Sequence, residues 1–393
     1  MARFQRGGET LELWLVRGEP WAERLEDASE IWSRRDDGEP QLRWRSTPPP
    51  DDAYRDMQRT LILGGWMRVH DPAREVAHAP VPHHAELDAR LRESVDADVV
   101  AVWADWLGEH GTPLAAWLAA DRGPTRPRRD QIAEAARVRH DALAPLDDRL
   151  GDAARLRPGA PQLEARLAHG LIVSAAIGGQ LERDDATQLV WELLRHPLAR
   201  YLQELAIRGD AACDLRLLVD LVMTAEPAPP LRSLVLGDWT LRREPSAIGE
   251  LGAIGTRFPA LAELAITGDD VGLDGLAIPS ARSFALHVPR MSPQQLAAIV
   301  RAPWPRLTTL ALEVGSRSTV TAGELAMLLG GAVALPALRS VTLDEVAFGT
   351  ELAGFVTGSP VVRALDRFEL RDCRISPDAA AALRAAGVNL VVR

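Results

Sequence analysis

The sequence predicts an α/β chain whose C-terminal half is a stack of strand-and-helix units, and three observations carry that expectation. One apolar spelling, L-x-x-L-x-L, recurs seven times between Leu202 and Ile375, with its first, fourth and sixth positions apolar: Leu202/Leu205/Ile207, Leu231/Leu234/Leu236, Leu261/Leu264/Ile266, Ala281/Phe284/Leu286, Leu307/Leu310/Leu312, Leu338/Val341/Leu343 and Leu365/Phe368/Leu370. Successive starts lie 29, 30, 20, 26, 31 and 27 residues apart, and a recurrence of roughly 20 to 50 residues is the mark of repeat architectures. The segments between copies spell helices: DLRLLVDLVMTA from Asp214, SPQQLAAIVRA from Ser292 and SPDAAAALRAAG from Ser376. The last two open with Ser as N-cap and Pro at the first helical position, which satisfies the exposed backbone N–H groups of a helix start.

That spelling at that period resembles leucine-rich repeats, where a short strand and a following helix or irregular turn stack on their neighbours to bury one continuous core. The resemblance implies that residues 202–393 form a curved, parallel-stranded solenoid whose open face binds a partner. Positions between the leucines then point away from the core, because side chains alternate along a strand. Position five reads Ala206, Val235, Ala265, Ala285, Ala311, Thr342 and Glu369, a row of mostly small side chains that admits close approach. Position seven reads Arg208, Gly237, Thr267, His287, Glu313, Asp344 and Arg371. The expected partner-binding residues are therefore Arg208, Ala265, Ala285, His287, Ala311, Glu313, Asp344 and Arg371, with the charged flank setting orientation more than affinity. The ninth position, an Asn or Cys in the family, holds Asp210, Trp239, Asp269, Pro289, Gly315, Val346 and Cys373. Only Cys373 fits, which implies irregular turns, and Ala281 after the 20-residue step implies a bend. GVNLVVR at the end supplies a closing strand.

At the N-terminus, LELWLV (11–16) and QLRWR (41–45) have strand character, and Asp51-Asp52 opens a helix through DAYRDMQRTLIL that Gly64-Gly65 ends. W-S-R-R-D-D-G-E-P-Q-L-R-W-R, Trp32 to Arg45, resembles the signature strand and hairpin of WGR domains, with AYRDMQRTLILGGWMRV as the helix and exit that follow. The resemblance covers residues 1–75 and implies nucleic-acid-end contacts through Trp32 and Arg34. The chain departs from the family at Ser33, where a Gly allows close backbone approach, and at Asp36 and Asp37, which repel phosphate. Residues 1–75 hold 12 Arg against 15 Asp and Glu, a balance of −3 where a nucleic-acid module presents a basic face. An interaction or packing module is the alternative reading, with Trp14, Trp21, Trp44 and Trp66 as its small core.

Residues 76–84 read as a Pro- and His-rich linker, with His78, His83 and His84 solvated rather than bound to metal, since no cysteine or fixed partner completes a ligand set. From Ala85 the period turns helical: Leu87, Leu91 and Val95 share one face, and Trp103, Trp106 and Leu107 another. V-W-A-D-W-L-G-E-H-G, Val102 to Gly111, resembles the repeat-companion helical domain that precedes leucine-rich repeats in many bacterial proteins, and its Ala104–Leu107 core is the most specific match. That resemblance implies no catalysis and makes Asp105 a structural hydrogen-bond acceptor between helices. It sets a helical domain at 85–160 and the array, with its cap, at 161–393. Arg122, Arg126, Arg128 and Arg129 form a basic run that reads as a solvated loop, because no aromatic interleaves it. GLIVSAAIG (170–178) reads as a buried strand and ATQLVWELLRH as a helix, a pair that caps the array's N-terminal edge.

Composition bounds the rest. A 393-residue chain with net charge −10 exceeds one core and argues against a general nucleic-acid or anionic-membrane binder. All 45 basic residues are Arg, and the complete lack of Lys excludes a P-loop lysine, a Schiff base and a kinase strand lysine. Two cysteines, Cys213 and Cys373, are too few for a disulfide scaffold and point to core thiols in a reducing compartment. The N-terminus shows no signal-peptide run, so the expectation is cytoplasmic. No H-E-x-x-H, G-x-S-x-G or Gly-rich phosphate loop occurs. The expected function is non-enzymatic recognition of a protein partner, as adaptor, scaffold or regulator, without cofactor or metal, and nucleic-acid-end sensing is the rival.

Overall fold

A computed structural model divides the chain into two compact units, Met1–Ala77 and His78–Arg393. In the first it describes the strands alone, at residues 2–6, 9–17, 29–35, 41–46 and 67–69; in the second it describes 81–112, 114–115, 118–119, 162–179, 184–209, 214–238, 246–315, 317–330 and 335–393.

The first unit is an antiparallel five-stranded sheet in the order β4-β3-β2-β1-β5. Its strands are β1 (Ala2–Arg6), β2 (Glu9–Arg17), β3 (Ser29–Arg35), β4 (Gln41–Ser46) and β5 (Met67–Val69). The Trp32–Arg45 signature falls on the β3–β4 pair, which is antiparallel with a bulge between Ile31 and Trp32. The helix expected from Asp51 lies outside the described residues, and β1 and β5 carry strand structure the sequence reading did not assign.

The second unit is built on a ten-stranded sheet, order β17-β16-β15-β14-β13-β11-β9-β8-β7-β6. Seven of these strands are the seven L-x-x-L-x-L copies: β8 (Glu204–Ile207), β9 (Ser233–Leu236), β11 (Glu263–Thr267), β13 (Ser283–His287), β14 (Thr309–Glu313), β15 (Ser340–Asp344) and β16 (Arg367–Arg371). All pair parallel and in one register, so that Leu205, Leu234, Leu264, Phe284, Leu310, Val341 and Phe368 form a single line across the sheet. The register follows from burial, because a one-residue slip would turn every apolar side chain to the other face. First, fourth and sixth positions are buried in all seven copies.

Helices cover the apolar side. Among the described residues they are α1 (Ala85–Glu93), α2 (Ala97–Glu109), α3 (Asp184–Arg195), α4 (Arg216–Thr224), α5 (Ile254–Arg257), α6 (Pro293–Arg301), α7 (Ala322–Leu329), α8 (Gly349–Val356), α9 (Pro360–Arg363) and α10 (Pro377–Ala385). Their inward residues, among them Leu218, Val222, Leu296, Ile299, Leu325, Leu328, Leu352, Val356 and Leu383, join the strand leucines in one cluster. Ser292 and Ser376 cap α6 and α10 with Pro at the first turn, and Thr321 closes a capping box with Glu324 on α7, which satisfies backbone donors at each helix start.

The 20-residue step has a distinct solution. Between β11 and β13 no helix is present; β12 (Asp269–Gly272) pairs parallel with β10 (Ala247–Glu250) instead, and Leu273, Leu276 and Ile278 fill the core. An added Cβ at Gly252 or Gly255 would collide with the carbonyl oxygens of Asp274 and Ala277. Glycine at both positions is what lets the short connection lie this close to its neighbour.

The expected N-terminal cap is a hairpin. β7 (Leu171–Gly178) pairs parallel with β8, and β6 (Gln162–Ala168) pairs antiparallel with β7 through His169 and Gly170, both at positive φ. The closing strand β17 (Leu390–Val392) pairs with β16 at the other end. The described helical residues before the array share its core: Leu91, Trp103 and Leu107 are fully buried in the same cluster as Tyr201 and Leu202. Asp105 lies on the exposed side of α2, and the buried carboxylate of this region is Asp88. His83 and His84 are not simply solvated: His84 caps α1 by accepting from the Leu87 N–H at 3.3 Å and stacks edge-on against Trp106, while His83 contacts Asp88. His78 and the arginine run at 122–129 lie outside the described residues.

Candidate functional site

The sheet face away from the helices is made of three rows, and the parallel register sets each row directly. In-register neighbours on adjacent strands sit about 4.8 Å apart, so each row is a continuous strip of side chains. Position three holds Glu204, Ser233, Glu263, Ser283, Thr309, Ser340 and Arg367, all exposed or half-buried. Position five keeps Ala206, Val235, Ala265, Ala285, Ala311 and Thr342 half-buried, so the expected small row is an accessible floor. At position seven Arg208 is exposed, His287 and Arg371 are half-buried, and Gly237 and Thr267 are buried.

Glu313 and Asp344 depart from expectation. Read from alternation as accessible flanking charges, they are only 2% and 3% exposed. Adjacent in the ladder, they stand between His287 on β13 and Arg371 on β16. Two like charges in direct cross-strand contact repel; Arg371, on which the Asp344 charge acts, offsets this on one side, and on the other His287 Nδ1 lies 3.8 Å from Glu313 Oε2. A pocket of about 300 Å³ opens here, lined by His287, Ala311, Leu312, Thr342, Asp344 and Arg371. Four of these, His287, Ala311, Asp344 and Arg371, are among the eight expected partner-binding residues; Ala265 and Ala285 continue the floor beside it, and Arg208 lies at the far end of the sheet.

The C-terminal end of the face carries a cluster the sequence reading did not assemble. Glu369, at position five of β16, is 1% exposed because arginines surround its carboxylate. Arg371 donates Nε to Oε1 at 2.9 Å and Nη2 to Oε2 at 3.2 Å. Arg367 donates Nε and Nη2 to Oε2 at 3.0 and 2.8 Å, and Arg393 Nε stands 3.3 Å from Oε1. The Arg371 bonds, then those of Arg367, hold the Glu369 carboxyl below its ordinary range, and Glu369 in turn raises Arg371. The guanidiniums themselves stay in reach of solvent, with side chains 43%, 41% and 63% exposed for Arg367, Arg371 and Arg393.

Beneath the face, Cys373 donates to the backbone carbonyl of Arg371 at 3.0 Å. Burial pushes its thiol up to about 11, which removes thiolate reactivity at neutral pH; Cys213 lies outside the described residues. Trp32 and Arg34 fall on β3, in register with Trp14 and Glu12 of β2. Among the described residues no cluster of His, Cys, Asp and Glu is arranged to hold a metal ion, and no helix is long and apolar enough to cross a membrane.

Comparison with known proteins gives no matching family model and no matching curated protein. Among solved structures the chain is similar to a Bacteroides fragilis protein determined by the Northeast Structural Genomics Consortium, with 11% identity and a TM-score of 0.44 over 100% of this chain and 96% of that one.

Proposed function

We propose that this chain is a leucine-rich repeat recognition protein that binds a protein partner on the open face of its solenoid. The observation that carries the reading is the face itself: seven in-register strands whose central row is small from Ala206 to Thr342, with a pocket between His287 and Arg371. A floor of alanine and hydroxyl side chains lets a strand or helix approach the sheet, and the pocket accepts an anchoring side chain, the usual energetic centre of such an interface. The WGR-like strands and repeat-companion helices, as the sequence reading has them, belong to an adaptor or regulator assembled from interaction modules, working without cofactor or chemistry of its own.

The test is site-specific photo-crosslinking in the native cell, with identification of the captured protein. A crosslinker at Ala285 or Ala311 should capture one defined protein, and the same group at Glu351 on the helix side should not. Capture from Glu351 alone would move the site off the open face.

A further inference from the structure

We infer that the partner docks an acidic peptide segment over β15–β17, its carboxylates held by Arg367, Arg371 and Arg393; this rests on the open face being the recognition surface. The first support is the way Glu369 is solvated. One carboxylate on the open face, 1% exposed, is ringed by guanidiniums that are about half exposed. Glu369 therefore acts as an internal counterion that fixes the position of the arginines. Arg367 and Arg371 both use Nε and Nη2 on it, which immobilises each planar fork while leaving its outer edge to solvent. Arginines held this way have already lost most of the side-chain freedom that an anion would otherwise have to remove, which is how preorganisation raises affinity.

Second, three guanidiniums converge on the single carboxylate of Glu369, with the Asp344 charge also acting on Arg371, in a chain that as a whole carries −10. Third, position three changes character along the face: it is Glu263 on β11 and Arg367 on β16, while Glu204 on β8 is already paired with Arg166 at 3.1 Å. Over β15 and β16 that row offers an acidic segment Ser340 and Arg367 and no carboxylate. Finally, the pocket beside Arg371 is lined by Thr342, Ala311 and His287, which gives the neighbouring residue of that segment somewhere to go.

The probe is fluorescently labelled hexaglutamate, titrated into the full chain at low salt by anisotropy, with hexalysine and inorganic phosphate as comparisons. Hexaglutamate should bind and weaken as salt rises. Arg393→Gln, the most exposed and therefore least disruptive change, should weaken it about fivefold, and Arg367→Gln with Arg393→Gln by more than about tenfold, at unchanged melting temperature. Glu369→Gln keeps an acceptor oxygen for the guanidinium forks but removes the charge that opposes the peptide, so it should act in the opposite direction and tighten binding; a purely structural clasp would not give that sign. No binding, equal binding of hexalysine, or binding indifferent to these arginines would overturn the inference. Phosphate competing as well as the peptide at equal concentration would also overturn it, since the site would then read a single oxyanion and not a segment. Crosslinks from Ala285 or Ala311 without hexaglutamate binding would leave the recognition face standing and remove only the acidic partner; arginine-dependent binding with crosslinks only from Glu351 would do the reverse.

Discussion

Two buried carboxylates, one near each end of the main sheet, use similar chemistry to different ends. Asp88 on α1 accepts from the Tyr201 hydroxyl, from Arg200 Nη2 at 2.9 Å and from the His84 backbone N–H at 3.2 Å. Its principal partners are enclosed: Tyr201 is fully buried against Trp103 and the Arg200 side chain is only 17% exposed. Glu369 is as deeply buried, but every cation around it reaches solvent. A charge held by the buried Tyr201 and the largely buried Arg200, with only His83 reaching solvent beside it, ties helices α1 and α2 to the start of the ladder. A charge whose partners are exposed presents those partners outward. The exposure of the neighbours, not of the carboxylate, separates a fastening from a surface.

The largest effect should come from the enclosed end. Asp88→Ala leaves the Tyr201 hydroxyl and the Arg200 guanidinium buried without their acceptor, and should cost about 3–5 kcal/mol in chemical denaturation; a loss below about 1 kcal/mol would mean that Asp88 is not the tie described. Leu264→Ala, at the buried fourth position of β11, should cost about 2–5 kcal/mol through lost burial and a cavity. An unchanged melting temperature there would contradict the repeat register.

Protonation distinguishes the two ends by sign. Burial, then the bond to Asp88, raises the Tyr201 hydroxyl above its ordinary value, so the folded state keeps a proton that the unfolded chain loses above about pH 10. Its contribution is complete below that pH and is lost as pH rises beyond it; Tyr201→Phe should flatten the alkaline limb of the stability profile. The Glu369 carboxyl is lowered, so its contribution is present above the ordinary Glu range and is lost as pH falls through the folded value. Glu369→Gln should flatten the acid limb. Each variant altering the opposite limb would undo the assignment.

The smallest expected effect on stability lies on the open floor. Ala285→Arg should leave the unfolding free energy within about 0.5 kcal/mol of the parent, as surface changes usually do, while removing capture of the partner by a crosslinker at Ala311. Loss of folding instead would show that position five is not open.

How far the sequence reaches follows the same division. The seven strands were legible because a side-chain period of two fixes the face once the L-x-x-L-x-L line is found, and the buried residues fall where that line sets them. The Ser-Pro helix starts were legible because capping is local. Position seven was not read correctly as to burial: nothing local to Glu313 or Asp344 says that they will stand side by side between His287 and Arg371 on other strands, 2% and 3% exposed. Asp88 looks like any polar residue in AELDARL; its burial is decided by Tyr201, distant in sequence. Arg393 meets Glu369 only because β17 pairs with β16. The hairpin strand β6 could have been found from its alternating Leu163, Ala165 and Leu167 before the His169-Gly170 turn. The β10–β12 pair had no such signal, because four-residue strands carry too little period.

The most direct test sets the two ends against each other in one experiment, measuring melting temperature and hexaglutamate affinity on the same samples of Asp88→Asn and Glu369→Gln. Asp88→Asn should lower the melting temperature by several degrees and leave peptide affinity, measured well below the melt, unchanged. Glu369→Gln should move the melt little, because the amide keeps an acceptor oxygen and the exposed guanidiniums rehydrate on their outer edges, and should tighten the peptide. Both variants destabilising the fold with neither altering affinity would contradict the account, and would make the two carboxylates fastenings alike.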